Sequence, residues 1–69
     1  MFSLVGVDGN AFSVMGYTAR ALKHAGLREL VGDMQAEAMS GDYNHLLVTC
    51  MEYVDRANEA MGYEEDEEL

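Results

Sequence analysis

The sequence predicts a small, mainly helical α+β domain in which one N-terminal strand is followed by a three-helix bundle. Three observations support this fold class. The chain has 69 residues, of which 49% are hydrophobic, and this is enough for one small folded domain. A short run that contains β-branched residues comes first, and three segments with apolar residues at helical spacing follow it.

The predicted strand covers residues 2–7, FSLVGV, and an Asp-Gly turn signal follows it. Phe2 and Leu4 share one face of this strand, and Val5 and Val7 share the other. A single strand leaves its main-chain N–H and C=O groups unpaired. We therefore expect a homodimer in which this strand pairs with its copy across a two-fold axis. The alternatives are a strand lying alone on the helices and a strand supplied by another protein.

The first predicted helix covers about residues 10–25. Asn10 is suited to cap its start, and Gly26 to end it. Gly16 lies inside this helix, where a small residue allows another main chain to approach closely. The predicted apolar stripe of the helix consists of Phe12, Met15, Ala19 and Leu22.

The second predicted helix covers residues 28–39 and is weakened by Gly32, because glycine has a low helix propensity. Gly41 is predicted to end it. Its apolar face consists of Leu27, Leu30, Val31, Met34 and Ala38.

The third predicted helix covers residues 42–61, with Asp42 as its N-cap and Gly62 as its C-cap. Its apolar residues alternate at steps of three and four, which makes it the clearest helix of the chain. They are Tyr43, Leu47, Cys50, Val54, Ala57 and Met61, broadened by Leu46 and Tyr53.

Residues 1–62 are predicted to form one compact domain, and residues 63–69, YEEDEEL, an acidic disordered tail. The formal net charge is −9, with +2 on residues 1–28 and −11 on residues 29–69. Such a charge repels phosphates and disfavours direct binding to nucleic acid. It favours a basic partner protein, and the alternative is that the charge serves only solubility.

The longest apolar runs are far shorter than the ~20 residues that a membrane helix needs, and the first ten residues do not resemble a signal peptide. We therefore expect no membrane association. The single cysteine, Cys50, excludes an internal disulfide and suits a reducing compartment. The predicted location is the cytoplasm, and we expect no cofactor and no metal.

The stretch GVDGNAFSVMG, residues 6–16, has the layout of a strand, a glycine turn and a helix start, which can hold a phosphate. The spacing of its glycines matches neither a dinucleotide fingerprint nor a P-loop, and Asp8 would repel a phosphate. We interpret the stretch as a structural turn in which Gly9 supplies an unusual φ angle.

Two sets of residues are predicted to bind. The first is an exposed surface that binds a basic partner protein and that can act as a mimic of nucleic acid. It consists of Glu52, Asp55, Glu59, Met39 and Met51. The second, an alternative function, is an anion site for a nucleotide-like ligand at a dimer seam: Asn10, Arg20, Lys23 and His24. The structural interpretation of that basic cluster is pairing with nearby carboxylates.

No arrangement of residues predicts catalysis. His45 and Cys50 are five residues apart and do not share a helix face, so the sequence does not indicate a nucleophile with its base. We expect Cys50 to pack in the core and His45 to contact Asp42 or cap a helix. The protein is therefore expected to be an interaction protein and not an enzyme.

Two segments, VGVDGNAFSVMG at 5–16 and SGDYNHLLVTCMEYV at 40–54, resemble recurring segments of small uncharacterised proteins of bacteria, plasmids and phages. The resemblance implies an accessory protein of mobile DNA, including an inhibitor of a host system. It assigns no activity and carries over no functional residue.

Overall fold

A computed structural model describes residues 1–63 of the chain. It contains α1 (Ala11–His24), a short 3₁₀ turn (Arg28–Leu30), α2 (Val31–Ala38) and α3 (Tyr43–Met61). The expected mainly helical fold with three helices is confirmed. Most of the predicted acidic tail, residues 64–69, lies outside the described residues.

The predicted boundaries of α1 are confirmed by its caps. The Asn10 side-chain oxygen accepts hydrogen bonds from the main-chain N–H groups of Phe12, at 2.8 Å, and Ser13, at 3.3 Å. At the other end, Gly26 has a φ of +79°, and the next N–H, of Leu27, reaches back to the carbonyl of Leu22 at 2.8 Å. Glycine adopts this left-handed conformation without the steric penalty of a Cβ atom.

The second helix is shorter than predicted. Residues 28–39 were expected to form one helix, but they form the 3₁₀ turn followed by the eight residues of α2. The N–H of Leu30 bonds the carbonyl of Leu27 at 2.9 Å, which is the tighter i to i+3 pattern. No side chain caps this start, because both candidate cap positions are leucines.

The caps of α3 are confirmed, but the role of Gly41 differs from the prediction. Asp42 accepts from the N–H of His45 at 2.9 Å, and Gly62 ends the helix at a φ of +79°. Gly41 has no positive φ, and α2 ends at Ala38, before it. A Cβ atom on Gly41 would lie 2.9 Å from the ring of His45, so this glycine makes room for that ring.

The three helices form an up-down-up bundle. The Tyr43 hydroxyl, at the start of α3, donates to the carbonyl of Gly9, just before α1. The ring of Phe2 contacts both His24, at the end of α1, and Tyr63, after the end of α3. Because their starts meet and their ends meet, α1 and α3 run in the same direction, and α2 leads back from the end of α1 to the start of α3.

The core lies where the three helices meet, and three residues of the predicted α1 stripe, Met15, Ala19 and Leu22, are buried in it. The fourth is not. Phe12 is 76% exposed, although it was expected to be buried. The buried face is centred on Thr18, whose hydroxyl donates to the Val14 carbonyl at 2.9 Å and thereby satisfies its polar group. The buried apolar residues are Val14, Met15, Ala19, Ala21, Leu22, Met34, Ala38, Leu46, Cys50, Val54 and Ala57.

The predicted strand is wrong: residues 1–63 contain no strand. Residues 1–7 instead form an irregular segment, which we call the strap, lying across α1 and α3. Four of its N–H groups are bonded inside the chain: Phe2 to Asn58, Ser3 to Tyr17, Val5 to Ser3, and Val7 to Leu4. Strand pairing across a dimer therefore loses its basis, because the segment is not a strand and these four donors already have partners.

The chain reversal also differs from the predicted position. It occurs at Gly6, with a φ of +86°, inside the turn closed by the 3.1 Å bond from the Val7 N–H to the Leu4 carbonyl. Gly9 has no positive φ. Its carbonyl instead receives the hydroxyl of Tyr43, which joins the turn before α1 to the start of α3.

Candidate functional site

The strap is held in place by polar side chains from both helices beneath it. The Asn58 side chain of α3 accepts from the N–H of Phe2 at 2.8 Å and donates to the carbonyl of the same residue at 3.0 Å. On α1, the Tyr17 hydroxyl accepts from the N–H of Ser3 at 2.9 Å. Because it is fixed to both helices, the strap leaves a groove on each of its sides.

The groove between the strap and α3, the acidic groove, has a volume of about 680 Å³. Apolar side chains of the strap and of α3 form much of its lining, and two exposed carboxylates, of Asp55 and Glu59, lie along it. The predicted partner residue Met51 also lines it. The full lining consists of Met1, Phe2, Ser3, Leu4, Val5, Leu47, Met51, Val54, Asp55, Asn58, Glu59 and Tyr63.

The groove between the strap and α1, the basic groove, has a volume of about 440 Å³. It brings together three of the four predicted anion-binding residues, Arg20, Lys23 and His24. Its other lining residues are Phe2, Tyr17 and Ala21. In the part of the chain that the structure describes, neither Arg20 nor Lys23 forms an ion pair.

The fourth predicted anion residue lies elsewhere. Asn10 is at the opposite end of α1 from Lys23 and His24, and its side-chain oxygen is used as the cap of that helix. No main chain approaches Gly16 within the described residues: outside its own helix backbone, the nearest atom to a Cβ placed there is the Arg20 guanidinium, at 3.7 Å. The close packing expected at Gly16 therefore does not occur within the chain.

Phe2 lines both grooves and is their common wall. Its ring lies 6.3 Å from that of His24 and 5.9 Å, edge-on, from that of Tyr63. The molecule therefore presents one continuous surface, the strap face, with cations of α1 on one side of the strap and carboxylates of α3 on the other.

The remaining predicted partner residues lie outside the grooves. Glu52 is exposed on α3, one turn before Asp55, and does not line the acidic groove. Met39 is 65% exposed just after α2 and lines neither groove. The five predicted residues thus form one cluster on α3 and one separate methionine.

The sequence interpretation missed the residues that build the strap face, above all Asn58 and Tyr17. Asn58 is only 9% exposed and lies four residues after Val54, on the buried side of α3. The position of this polar residue on an apolar stripe could have indicated its role, because a buried amide needs hydrogen-bond partners. The identity of those partners depends on the tertiary fold.

His45 joins α2 to α3 through one ring nitrogen. Nε2 lies 3.0 Å from a carboxylate oxygen of Glu37, 2.9 Å from the carbonyl of the same residue, and 3.2 Å from Oγ of Ser40. The residue types are those of a Ser-His-acid triad, but a triad uses the two ring nitrogens for the acid and the serine separately. The cluster therefore fits a structural link between helices.

Cys50 is fully buried, as predicted. Burial raises the pKa of its thiol above the ordinary value of 9.0, and a hydrogen bond with Thr18 opposes part of that effect. A raised pKa keeps the thiol protonated and unreactive at neutral pH. Among the described residues, no group of three histidine, cysteine or carboxylate side chains is arranged to hold a metal.

No helix in residues 1–63 has the length and apolar character needed to cross a membrane. Comparison of the chain with models of protein families, with curated proteins and with solved structures gives no match. The chemistry of the strap face and of α3 is therefore what indicates the kinds of molecule that this protein can bind.

Proposed function

We propose that this protein is a small non-enzymatic interaction protein that binds a basic partner protein through the exposed side of α3. The observation that carries the proposal is an exposed row of carboxylates, Glu52, Asp55 and Glu59. Their spacing of three and four residues puts them on one side of the helix. Within the described residues the one contact between a carboxylate and a basic side chain joins Glu37 to His45, so no cation is paired with these three carboxylates.

Exposed apolar groups lie beside this acidic row. Val48 and Met51 are 54% and 56% exposed on the same helix. Lysine and arginine carry long apolar stems below their charges, so a basic surface can cover the methionine while its cations meet the carboxylates. A surface of charge alone would not offer this second contribution.

The overall charge supports the same kind of partner. A formal net charge of −9 on a chain of 69 residues attracts cationic surfaces and speeds their encounter. Three carboxylates spread over about 10 Å of helix can occupy a groove built for phosphates. Nucleic-acid mimicry, and inhibition of a nucleic-acid-binding protein, are therefore forms that the interaction can take.

The test is affinity capture with matched charge variants. The variant E52K/D55K reverses two carboxylates of the acidic row, and E29K/D33K reverses two exposed carboxylates elsewhere, with the same change in net charge. We expect basic proteins captured by the wild type at low salt to be retained by E29K/D33K and reduced about tenfold on E52K/D55K. Equal capture by the two variants, or no captured basic protein, would contradict the proposal.

A second function is favoured by one observation, the meeting of Arg20, Lys23 and His24 in the basic groove. It is the binding or sequestration of a small anionic ligand such as a nucleotide. A ligand that binds only the folded state raises the melting temperature. A nucleotide-dependent rise that R20A/K23A abolishes would support this function, and the absence of a rise with every nucleotide would exclude it.

We also propose a biological role and a cellular compartment for this interaction. The resemblance of residues 5–16 and 40–54 to segments of small phage and plasmid proteins supports an accessory role on mobile DNA. A lone buried thiol is compatible with a reducing compartment, so we propose that the protein acts in the cytoplasm.

A further inference from the structure

We propose that two copies of this chain associate through the strap face, about a two-fold axis that runs parallel to α1 and α3. In this arrangement the basic groove of each copy faces the carboxylates of the acidic groove of the other. The inference shares Asp55 and Glu59 with the proposed function, and it concerns how that surface is occupied when no basic partner is present.

The charges on the strap face are complementary to themselves. Arg20 and Lys23 lie on one side of the strap, and Asp55 and Glu59 lie on the other. In residues 1–63 none of these four groups forms an ion pair. A second copy is therefore an occupant that offers each row the opposite charge.

The charges also match in height along the bundle. The ends of α1 and α3 lie near each other, because the ring of Phe2 contacts both His24 and Tyr63. Lys23 lies one residue before the end of α1, and Glu59 two residues before the end of α3. With a rise of about 1.5 Å per residue, Lys23 and Glu59 lie roughly 2 Å and 3 Å before the ends of their helices, and Arg20 and Asp55 roughly 6 Å and 9 Å. Each cation therefore has a carboxylate at a similar distance from the helix end.

Symmetry decides which axis is used. A two-fold axis parallel to the helices exchanges the two sides of the strap face and keeps the height of every residue. It brings the α1 cations opposite the α3 carboxylates twice, as an isologous interface requires. A two-fold axis across the helices would bring like charges together, which is unfavourable.

The centre of the strap face is apolar. Val5 is 90% exposed, Met1 65% and Met51 56%, and all three line the acidic groove between the two charged rows. An apolar centre with a charged rim is the usual anatomy of a protein interface. Association also stabilises a domain of 69 residues more than a large one, because a small domain buries a smaller fraction of its surface when it folds alone.

The test measures mass by sedimentation equilibrium, from micromolar to millimolar chain concentration. We expect the wild type to reach twice the chain mass of 7.6 kDa. The variants R20E/K23E and D55K/E59K should each remain monomeric, because both rows then carry the same sign. An equimolar mixture of the two variants should dimerise again, because every facing pair is then of opposite sign.

A control and a second variant keep the result interpretable. E29K/D33K, which alters the charge away from the strap face, should dimerise like the wild type. V5E changes a side chain that is 90% exposed, so it should leave the melting temperature unchanged and weaken the dimer about tenfold or more.

A monomeric wild type, or a mixture of charge variants that stays monomeric while both fold by circular dichroism, would overturn the inference. So would a V5E variant that dimerises as tightly as the wild type. None of these results bears on capture of a basic partner by α3, which the E52K/D55K comparison tests separately.

Discussion

The side-chain amide of Asn58 bonds both main-chain polar groups of Phe2, which lies 56 residues earlier in the chain. A neighbouring strand would offer the same donor and acceptor. The amide therefore substitutes for one rung of a β-ladder, and the strap remains in place without a sheet. The two grooves exist because this contact and the Tyr17 bond fix the strap.

Removing the amide should destabilise the fold. Asn58→Ala leaves the N–H and C=O of Phe2 without their protein partners, and we expect a loss of about 1–3 kcal/mol in the free energy of unfolding. For a domain of this size each kcal/mol corresponds to about 4–8 °C in melting temperature. Urea and thermal unfolding measure the change. Asn44→Ala, at an exposed asparagine of the same helix, should have little effect. Equal losses of stability in the two variants would show that the pair of bonds between Asn58 and Phe2, the Asn58 clamp, is unimportant.

Substitution of the glycine inside α2 and of the glycine after it by alanine should change the free energy of unfolding in opposite directions. At Gly41 a Cβ atom would lie 2.9 Å from the His45 ring, so Gly41→Ala forces that ring aside and should cost about 1–3 kcal/mol. At Gly32 nothing lies within 4 Å, and Gly32→Ala should stabilise α2 by up to about 1 kcal/mol. Urea unfolding measures both. A stabilised Gly41→Ala variant would contradict the close contact.

Two residues of the apolar stripe predicted for α1 should differ in their contribution to the free energy of unfolding. Leu22 is fully buried, and Leu22→Ala should cost about 2–5 kcal/mol through lost burial and a cavity. Phe12 is 76% exposed, and Phe12→Ala should change the stability by less than about 0.5 kcal/mol. Thermal unfolding of the two variants makes the comparison. A large loss for Phe12→Ala would mean that a partner or second copy covers it.

The buried thiol should make stability depend on alkaline pH. Burial raises the pKa of Cys50 above 9.0, so above that pH the unfolded chain loses a proton that the folded chain keeps. Ionisation of the thiol then favours the unfolded state. The stability that the protonated thiol contributes is fully present below the pKa of the unfolded chain and is lost as the pH rises above it. Urea unfolding at several pH values should give a flatter alkaline profile for Cys50→Ala than for the wild type. Parallel profiles would show that Cys50 does not contribute.

The thiol should also be protected from reagents. Cys50 has no solvent exposure, so we expect labelling by a thiol reagent at pH 8 to be slow in the native protein and fast in urea. The ratio of the two rates measures how often the bundle opens. Rapid labelling under native conditions would place Cys50 on a surface, contrary to the fold.

The helix ends could be predicted because they depend on nearby residues. Asn10, Asp42, Gly26 and Gly62 act where the sequence suggests, since a cap involves only the next few main-chain groups. The split before α2 follows from a local fact of the same kind, the lack of a capping side chain at Leu30.

The strap and the exact core face could not be predicted in the same way. Val5 and Val7 have high strand propensity, but their N–H groups bond to Ser3 and Leu4 within the same segment. Phe2 and Ser3 bond to side chains far away in the sequence, which the local pattern cannot identify. Thr18, Thr49 and Asn58 occupy buried positions despite their polarity. The hydrophobic pattern therefore identifies α1 as a helix and correctly buries Met15, Ala19 and Leu22. It wrongly includes Phe12 and misses Thr18.

The candidate site was predicted in part. The spacing of Arg20, Lys23 and His24 on one helix was sufficient to group them, and the same holds for Asp55 and Glu59. Their position on either side of one apolar strap could not be deduced from spacing, because it depends on the packing of residues 1–7 across two parallel helices.

The Asn58 clamp holds main-chain atoms of residue 2 and is indifferent to the side chains around it. Residues 1, 3 and 5 are exposed, so substitutions there leave the clamp intact. Related proteins with this fold could therefore differ in the strap's side chains, and with them in the partner that they bind, with little loss of stability. The clamp makes this surface readily evolvable.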